Sequence, residues 1–208
     1  MRVIKPSIEI LTELNGIDIL KHIEKCGRVC YKSEHRITDN SYIDFAKNII
    51  RRGHEAVLEH YSITVKFICD RGVSHEIVRH RLASYCQEST RYCNYSRDEF
   101  STQITVIEPL YLEPNSMSYY SWETACLEAE KQYFELLNLG NMPQEARAVL
   151  PNSLKTEIVM TANLREWRHF LKLRCSSAAH PQMREVACMV LKRFQSQIPV
   201  VFDDIRNF

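Results

Sequence analysis

Apolar positions along the chain follow two periods, and the switches between them mark out the elements. VIKPSIEIL, residues 3–11, alternates like a strand and is broken at Pro6, which cannot donate to a ladder. In GIDILKHIEKCGRVCYK the apolar side falls on Ile17, Leu20, Ile23 and Val29, the spacing of a helix. TDNSYIDFAKNIIRRG follows as a second helix, with Asp39, Asn40 and Ser41 as N-cap candidates and Gly53 as its stop. YSITVKFIC then alternates around β-branched residues and predicts a half-buried strand ending at Asp70, Arg71 and Gly72. VSHEIVRHRLAS returns to helical spacing, with Val73, Ile77, Val78 and Leu82 on one side and Glu76, Arg79 and His80 on the other.

The second half continues in the same mixed manner. QITVIEP predicts a strand, residues 116–139 a long helix closed by Gly140, and MPQEARAVLP a short helix opened by Pro143 and ended by Pro151. LKTEIVMTANL predicts a strand, REWRHFLKLRC a short helix, and residues 181–198 a final amphipathic helix. Strands and helices do not alternate in strict βαβ order, so the fold class expected is α+β, with helices packed around a small, largely antiparallel sheet. Repeats, low-complexity tracts and Gly/Ser/Pro linkers are missing from the sequence, which predicts one domain over residues 1–208.

Composition narrows the function more than the fold. A chain of 208 residues buries roughly 70% of its unfolded surface, enough for a core without metal or disulfide staples. Lys and Arg (27) nearly cancel Asp and Glu (26), which argues against a protein that holds nucleic acid or membrane by its overall charge. Any anion site must therefore be local. No apolar run reaches the length of a membrane span and MRVIKPSIEI lacks a signal-peptide core, so a cytoplasmic protein is expected. The eight cysteines, none in a CxxC pair, fit free thiols in a reducing compartment. HEAVLEH, residues 54–60, has Leu58 where a zinc protease would need its second His, and no metal site is expected.

The local charge lies in four basic islands. RHRLASYCQESTRY, residues 79–92, sets Arg79, Arg81 and Arg91 among the hydroxyls of Ser84, Ser89 and Thr90. Arginine forks with hydroxyl donors are the chemistry of a phosphate clamp, each charge-assisted bond contributing roughly 1.5–3 kcal/mol. A solvated helix end complementing its dipole is the blander reading. In PQEARAVLP, Arg147 interrupts an apolar stretch and calls for a partner, either Glu145 or a ligand anion. ANLREWRHFLKLR carries Asn163, Arg165, His169 and Arg174, of which Asn163 either caps the helix or offers its amide to a ligand. RRGHEAVLEHYS brings His54 and Glu59 to the start of a strand.

Arg79-His80-Arg81, followed by LASYCQE, Ser89 and then Arg91-Tyr92, resembles the signature of the flavin-dependent thymidylate synthases. GHEAVLEH, EARAVLP and ANLREWRHFLKLR are similar to that family's other blocks in the same order, so the resemblance runs from about residue 25 to residue 202. It implies reductive methylation of dUMP to dTMP, with methylenetetrahydrofolate as carbon donor and NADPH reducing a bound FAD. It also implies a homotetramer with active sites at subunit junctions, and a small domain could hardly enclose three such ligands alone. By motif, FAD would be contacted by His54, Ala56, Arg79, His80, Arg81, Gln87, Asn163, Arg165 and His169. The nucleotide would be held by Gln87, Glu88, Ser89, Thr90, Arg91 and Arg147, with Glu76 and Arg79 reaching that of a neighbouring subunit. Arg174 would be catalytic, a fixed cation over the uracil that stabilises the deprotonated ring nitrogen 3 and activates carbon 5.

Three positions depart from the pattern: Ala56 stands for a Ser or Thr, Glu76 for a Gln, and His169 for an Asn, which adds a group titrating near neutrality. Two other function classes compete. A nucleic-acid module could use the basic helix with Tyr85, Tyr92 and Tyr95 as stacking platforms, and would bind in a steeply salt-dependent way without flavin. A flavoprotein reductase of another specificity would make no demand for dUMP.

Overall fold

The computed structural model describes residues 1–96 and 102–206. Pro6 separates β1 (Arg2–Ile4) from β2 (Ser7–Ile10), and the two join different sheets. β1 pairs in parallel with β5 (Thr105–Ile107), Val3 opposite Val106. The other sheet has the order β2, β3 (Ser62–Asp70), β6 (Lys155–Asn163), β4 (Ala83–Gln87). The mixed α+β architecture with a small antiparallel sheet is thus the one expected, apart from the parallel β1–β5 ribbon.

By contacts the chain forms two compact units that interleave in sequence: residues 1–7, 67–79 and 86–158, and residues 8–66, 80–85 and 159–208. The first is built on α4 (Met117–Asn138), capped by Ser116, whose side chain accepts from Tyr119 N. Its core gathers Tyr95, Ile104, Val106, Cys126, Tyr133, Ala146 and Leu154. α3 (Arg71–Ile77) starts on Asp70, which accepts from Val73 N at 2.8 Å. The short helix expected from MPQEARAVLP is one α turn, α5 (Pro143–Ala146), continued by a 3-10 turn, Arg147–Val149.

The second unit packs α1 (Gly16–Arg28) against α2 (Ser41–Arg52), and α6 (Leu164–Arg174) against α7 (Pro181–Gln197). Gly53 ends α2 in the left-handed region at φ 69°, where a glycine carries no steric penalty. Trp167, Phe170, Phe194 and Phe202 are fully buried and meet in tilted or edge-to-face pairs at 4.9–5.4 Å, each contributing roughly 1.5–3 kcal/mol by burial. The Trp167 indole N–H donates to Ile63 O at 3.0 Å, so its one polar atom is satisfied.

α1 enters this unit under the end of α7. A Cβ on Gly16 would lie 2.1 Å from the carbonyl oxygen of Gln197, a backbone atom that cannot swing aside. Gly16→Ala is therefore expected to destabilise the protein by about 1–3 kcal/mol as α1 and α7 are forced apart, read as a lower midpoint in denaturant unfolding. A midpoint equal to that of the parent chain would contradict the close approach.

One predicted element was wrong in type as well as extent. The helix expected over residues 73–84 ends at Ile77, and residues 83–87 are the strand β4. Val78 and Leu82, expected on the apolar side of that helix, are 40% and 76% exposed. ASYCQ alternates half-buried and exposed positions beside β6, so pairing overrides the helical spacing seen upstream.

Candidate functional site

The two units carry separate groups of the candidate residues. In the first, the segment leaving β4 is held by its own polar side chains. Gln87 is half-buried, and its amide donates to Ser74 Oγ at 2.9 Å and Thr156 Oγ1 at 3.2 Å. Glu88 accepts from Lys155 Nζ and from the Tyr95 hydroxyl, both at 3.0 Å. Burial, and then the Glu88 charge, push the Tyr95 phenol far above its usual range, so it remains a donor. Lys155 also bonds Glu157 at 2.7 Å and stays charged, since the two carboxylates overcome the effect of its burial.

Ser89 Oγ accepts from Arg91 N at 3.3 Å, and the exposed Arg91 lays its guanidinium over the Tyr92 ring at 5.4 Å. Arg147, 57 residues along the chain, donates to the buried Thr90 at 3.3 Å. Arg147 is exposed, and Glu145, one of the two partners expected for it, turns instead to the Met142 backbone N–H at 2.9 Å, closing the first turn of α5. Glu76 is half-buried on α3, while Arg79 just beyond it is exposed and, among the described residues, in no ion pair.

The second unit centres on His80. Its ring is buried at 5% exposure against Phe170, 4.8 Å between centroids, and His169, 5.6 Å away. Nδ1 lies 3.2 Å from Glu166 Oε1, and Nε2 lies 3.1 Å from Arg174 Nε. An arginine Nε–H can only donate, so His80 Nε2 is the acceptor and the ring proton sits on Nδ1, facing the carboxylate. Tyr85 donates its hydroxyl to the His80 carbonyl at 2.5 Å, and burial followed by the Glu166 charge pushes that phenol up to about 12.

Burial holds the His80 pKa below its ordinary value, and the Arg174 cation lowers it further, against the raising influence of Glu166. A depressed histidine contributes stability that is fully present above its unfolded pKa near 6.5 and is lost as pH falls through the folded value. The His80 midpoint is accordingly expected to lie below that of a free histidine in an NMR titration; a midpoint at or above the ordinary histidine value would contradict the arrangement.

Asn163 takes its blander role and caps α6, Oδ1 accepting from Glu166 N at 2.9 Å. Arg165 is exposed and pairs with Glu59 at 2.5 Å; His169 is exposed one turn further on. Arg81 is exposed and in no ion pair among the described residues. His54 and Ala56 line a cavity of about 1060 Å³ between α1 and α2, beside Arg28, Arg36, Arg52, Tyr31 and Phe45. His80, Glu166 and His169 also bring three ligand atoms within 4.8 Å of one another. A metal there would have to displace the proton shared with Glu166 beside an arginine cation, so these residues serve better as a hydrogen-bonded chain.

Three participants lie outside the sequence expectation. Glu166 and Arg168 belong to a motif stretch already singled out and Lys155 to a predicted strand, yet nothing local distinguishes them from solvated charges. The signal available was weak: a glutamate three residues after an N-cap asparagine, and an arginine amid Trp167, Phe170 and Leu171. Among the described residues none of the eight cysteines is in a disulfide; Cys69 is buried and Cys188 half-buried. Among the described residues no helix is long and apolar enough to cross a membrane.

Residues 15–200 match the family model of the thymidylate synthase complementing proteins. A flavin-dependent thymidylate synthase of Pyrococcus furiosus is 36% identical over 181 residues, covering 86% of this chain and 71% of the relative. That of Corynebacterium glutamicum is 33% identical over 217 residues, covering 95% and 83%. Among solved structures, a UMP/dUMP methylase PolB from Streptomyces cacaoi, bound with 5-Br dUMP, superposes with a TM-score of 0.78 at 22% identity, over 98% of this chain and 96% of the other. The last likeness establishes a shared fold; the sequence matches, a third or more identical over most of both chains, establish that this chain belongs to the flavin-dependent thymidylate synthase family.

Proposed function

We propose that the protein converts dUMP to dTMP by reductive methylation, with methylenetetrahydrofolate as carbon donor and NADPH as reductant acting through bound FAD. The observation that carries this reading is the family membership, and the neutral His80 held against Arg174 gives it a physical basis. The PolB methylase, crystallised with a dUMP analogue, supports a pyrimidine nucleotide as the substrate class.

The chemistry of the donors suits an anionic dinucleotide. Arg79 and Arg81 are exposed cations without an ion pair among the described residues, and Arg165 has only a surface carboxylate to exchange. His54, Ala56, Arg79, His80, Arg81, Gln87, Asn163, Arg165 and His169 are the residues assigned to FAD, whose bound ring supplies hydride for the new methyl group. Gln87, Glu88, Ser89, Thr90, Arg91 and Arg147 hold the nucleotide, the hydroxyls and arginine forks suiting its phosphate. Glu76 and Arg79 reach the nucleotide of an adjoining subunit.

Arg174 lies over the pyrimidine as a fixed cation. It favours the ring with nitrogen 3 deprotonated, which raises electron density at carbon 5 without a covalent enzyme nucleophile. Ser89 serves in binding, its hydroxyl suiting the phosphate, since its motif offers no general base beside it. The chain acts as one functional domain in a cytoplasmic homotetramer whose sites are completed at subunit junctions.

Purified protein is expected to be yellow, to show a flavin spectrum that shifts on adding dUMP, and to form dTMP only with methylenetetrahydrofolate and NADPH present. A colourless protein that cannot be reconstituted with FAD rejects the reading. Light scattering should give a tetramer mass, and a monomer mass would remove the shared site.

A further inference from the structure

NLRE, residues 163–166, has the spacing of a capping box, in which the glutamate reaches back to the backbone N–H of the N-cap. Half of that box forms, with Asn163 Oδ1 accepting from Glu166 N. The Glu166 carboxylate turns away to His80 Nδ1, 86 residues distant in sequence, and is 7% exposed there. A carboxylate buried in this way is costly unless its partner holds it in a defined geometry.

That geometry extends one step further. Arg174 Nε can only donate, so its bond to His80 exists only while Nε2 is unprotonated. Glu166 can only accept when ionised, so it favours the proton on Nδ1. The two demands select one tautomer, as a carboxylate behind a catalytic histidine does in hydrolases. Among the described residues, the charged or titratable groups facing the ring act on the same balance: Glu166, Arg174 and His169, with Phe170 closing one face and Tyr85 holding the backbone carbonyl.

We propose that Glu166 is a positioning residue for the reaction: it holds His80 in the Nδ1–H tautomer, which keeps Nε2 as acceptor for Arg174 Nε and so fixes the plane of the guanidinium. This inference rests on the place given to Arg174 over the pyrimidine. Without Glu166 the ring can carry its proton on Nε2, setting donor against donor and releasing the arginine. Misplacement of a catalytic group by about 1 Å costs about 100-fold in rate.

The test compares Glu166→Ala and Glu166→Gln with the parent enzyme, reading the His80 tautomer by 15N NMR of the imidazole and kcat and KM for dUMP in the dTMP-forming assay. The parent should show the Nδ1–H form. Glu166→Ala should shift the ring toward Nε2–H and lower kcat about 100-fold, with FAD retained. Glu166→Gln, whose amide oxygen still accepts from Nδ1–H, should keep the tautomer and recover most of kcat. An Nε2–H ring in the parent, or an alanine variant with unchanged tautomer and kcat, overturns the proposal; a lower melting temperature with both unchanged identifies a purely structural carboxylate and overturns it equally. If the alanine variant does not fold, the parent spectrum and the glutamine variant decide. A parent enzyme that forms no dTMP sinks the functional reading instead, while the ring spectra still report on the tautomer.

Discussion

Arg174→Ala is expected to lower kcat by about 10²–10³-fold, about 2.7–4 kcal/mol, with FAD still bound. Arg174 is half-buried at the end of α6, and its Nε is tied to a histidine that is itself fixed from behind. A cation oriented before the substrate arrives stabilises developing negative charge without reorganising, which makes such donors expensive to lose. The same substitution removes a charge that depresses His80, so the ring should titrate at higher pH in the variant. Arg174→Lys is expected to rescue little, because an ammonium cannot reproduce a planar guanidinium fixed at one edge. Turnover of the alanine variant at the parent rate would refute the assignment.

Arg168→Ala is expected to destabilise the protein by about 3–5 kcal/mol. Arg168 is 1% exposed; Nε donates to Glu55 at 3.0 Å, Nη1 and Nη2 to the two oxygens of Asp204 at 2.7 Å, and Nη1 also to the Val201 carbonyl. Removing it leaves the Val201 carbonyl and the half-buried Glu55 without their donor, while the exposed Asp204 loses its paired bond and turns to water. For a domain of this size, about 2–4 °C of melting temperature accompanies each kcal/mol, so a fall of roughly 6–20 °C is expected by calorimetry. Burial alone would raise the Asp204 pKa, but Arg168 and Lys172 outweigh it and hold the carboxyl below its usual range. Its contribution is therefore present above the ordinary carboxylate pKa and is lost as pH falls through the depressed one, so the difference between parent and variant should shrink in acid. A melting temperature within a degree or two of the parent would show that Arg168 is replaceable.

Much of the scaffold was legible along the chain. α4 and α7 announce themselves by period and caps, Gly53 stops α2 where the pattern ends, and β3 and β6 are bounded within two residues of their alternating runs. These features are local: they depend on which faces a single element can bury and on which residues satisfy its ends. The segment after Ile77 was not legible, because its helical spacing of apolar residues competes with a strand partner that lies far along the chain.

The site divides in the same way. The spaced arginines and hydroxyls of residues 79–91, with Arg147 and Arg174, pointed from the sequence to an anion-binding enzyme of this family, and the comparisons bear out that family. What each residue touches was decided only by tertiary structure. His80 was placed on the polar side of a helix, yet it is buried between Phe170, Glu166 and Arg174. A histidine's exposure, tautomer and charge are set by groups within a few ångströms, and here those groups come from positions 86 and 94 residues away. The sequence by itself determined the periods, the caps and the inventory of charges; the tertiary structure alone determined which charges meet, because burial and hydrogen bonding are properties of neighbours in space.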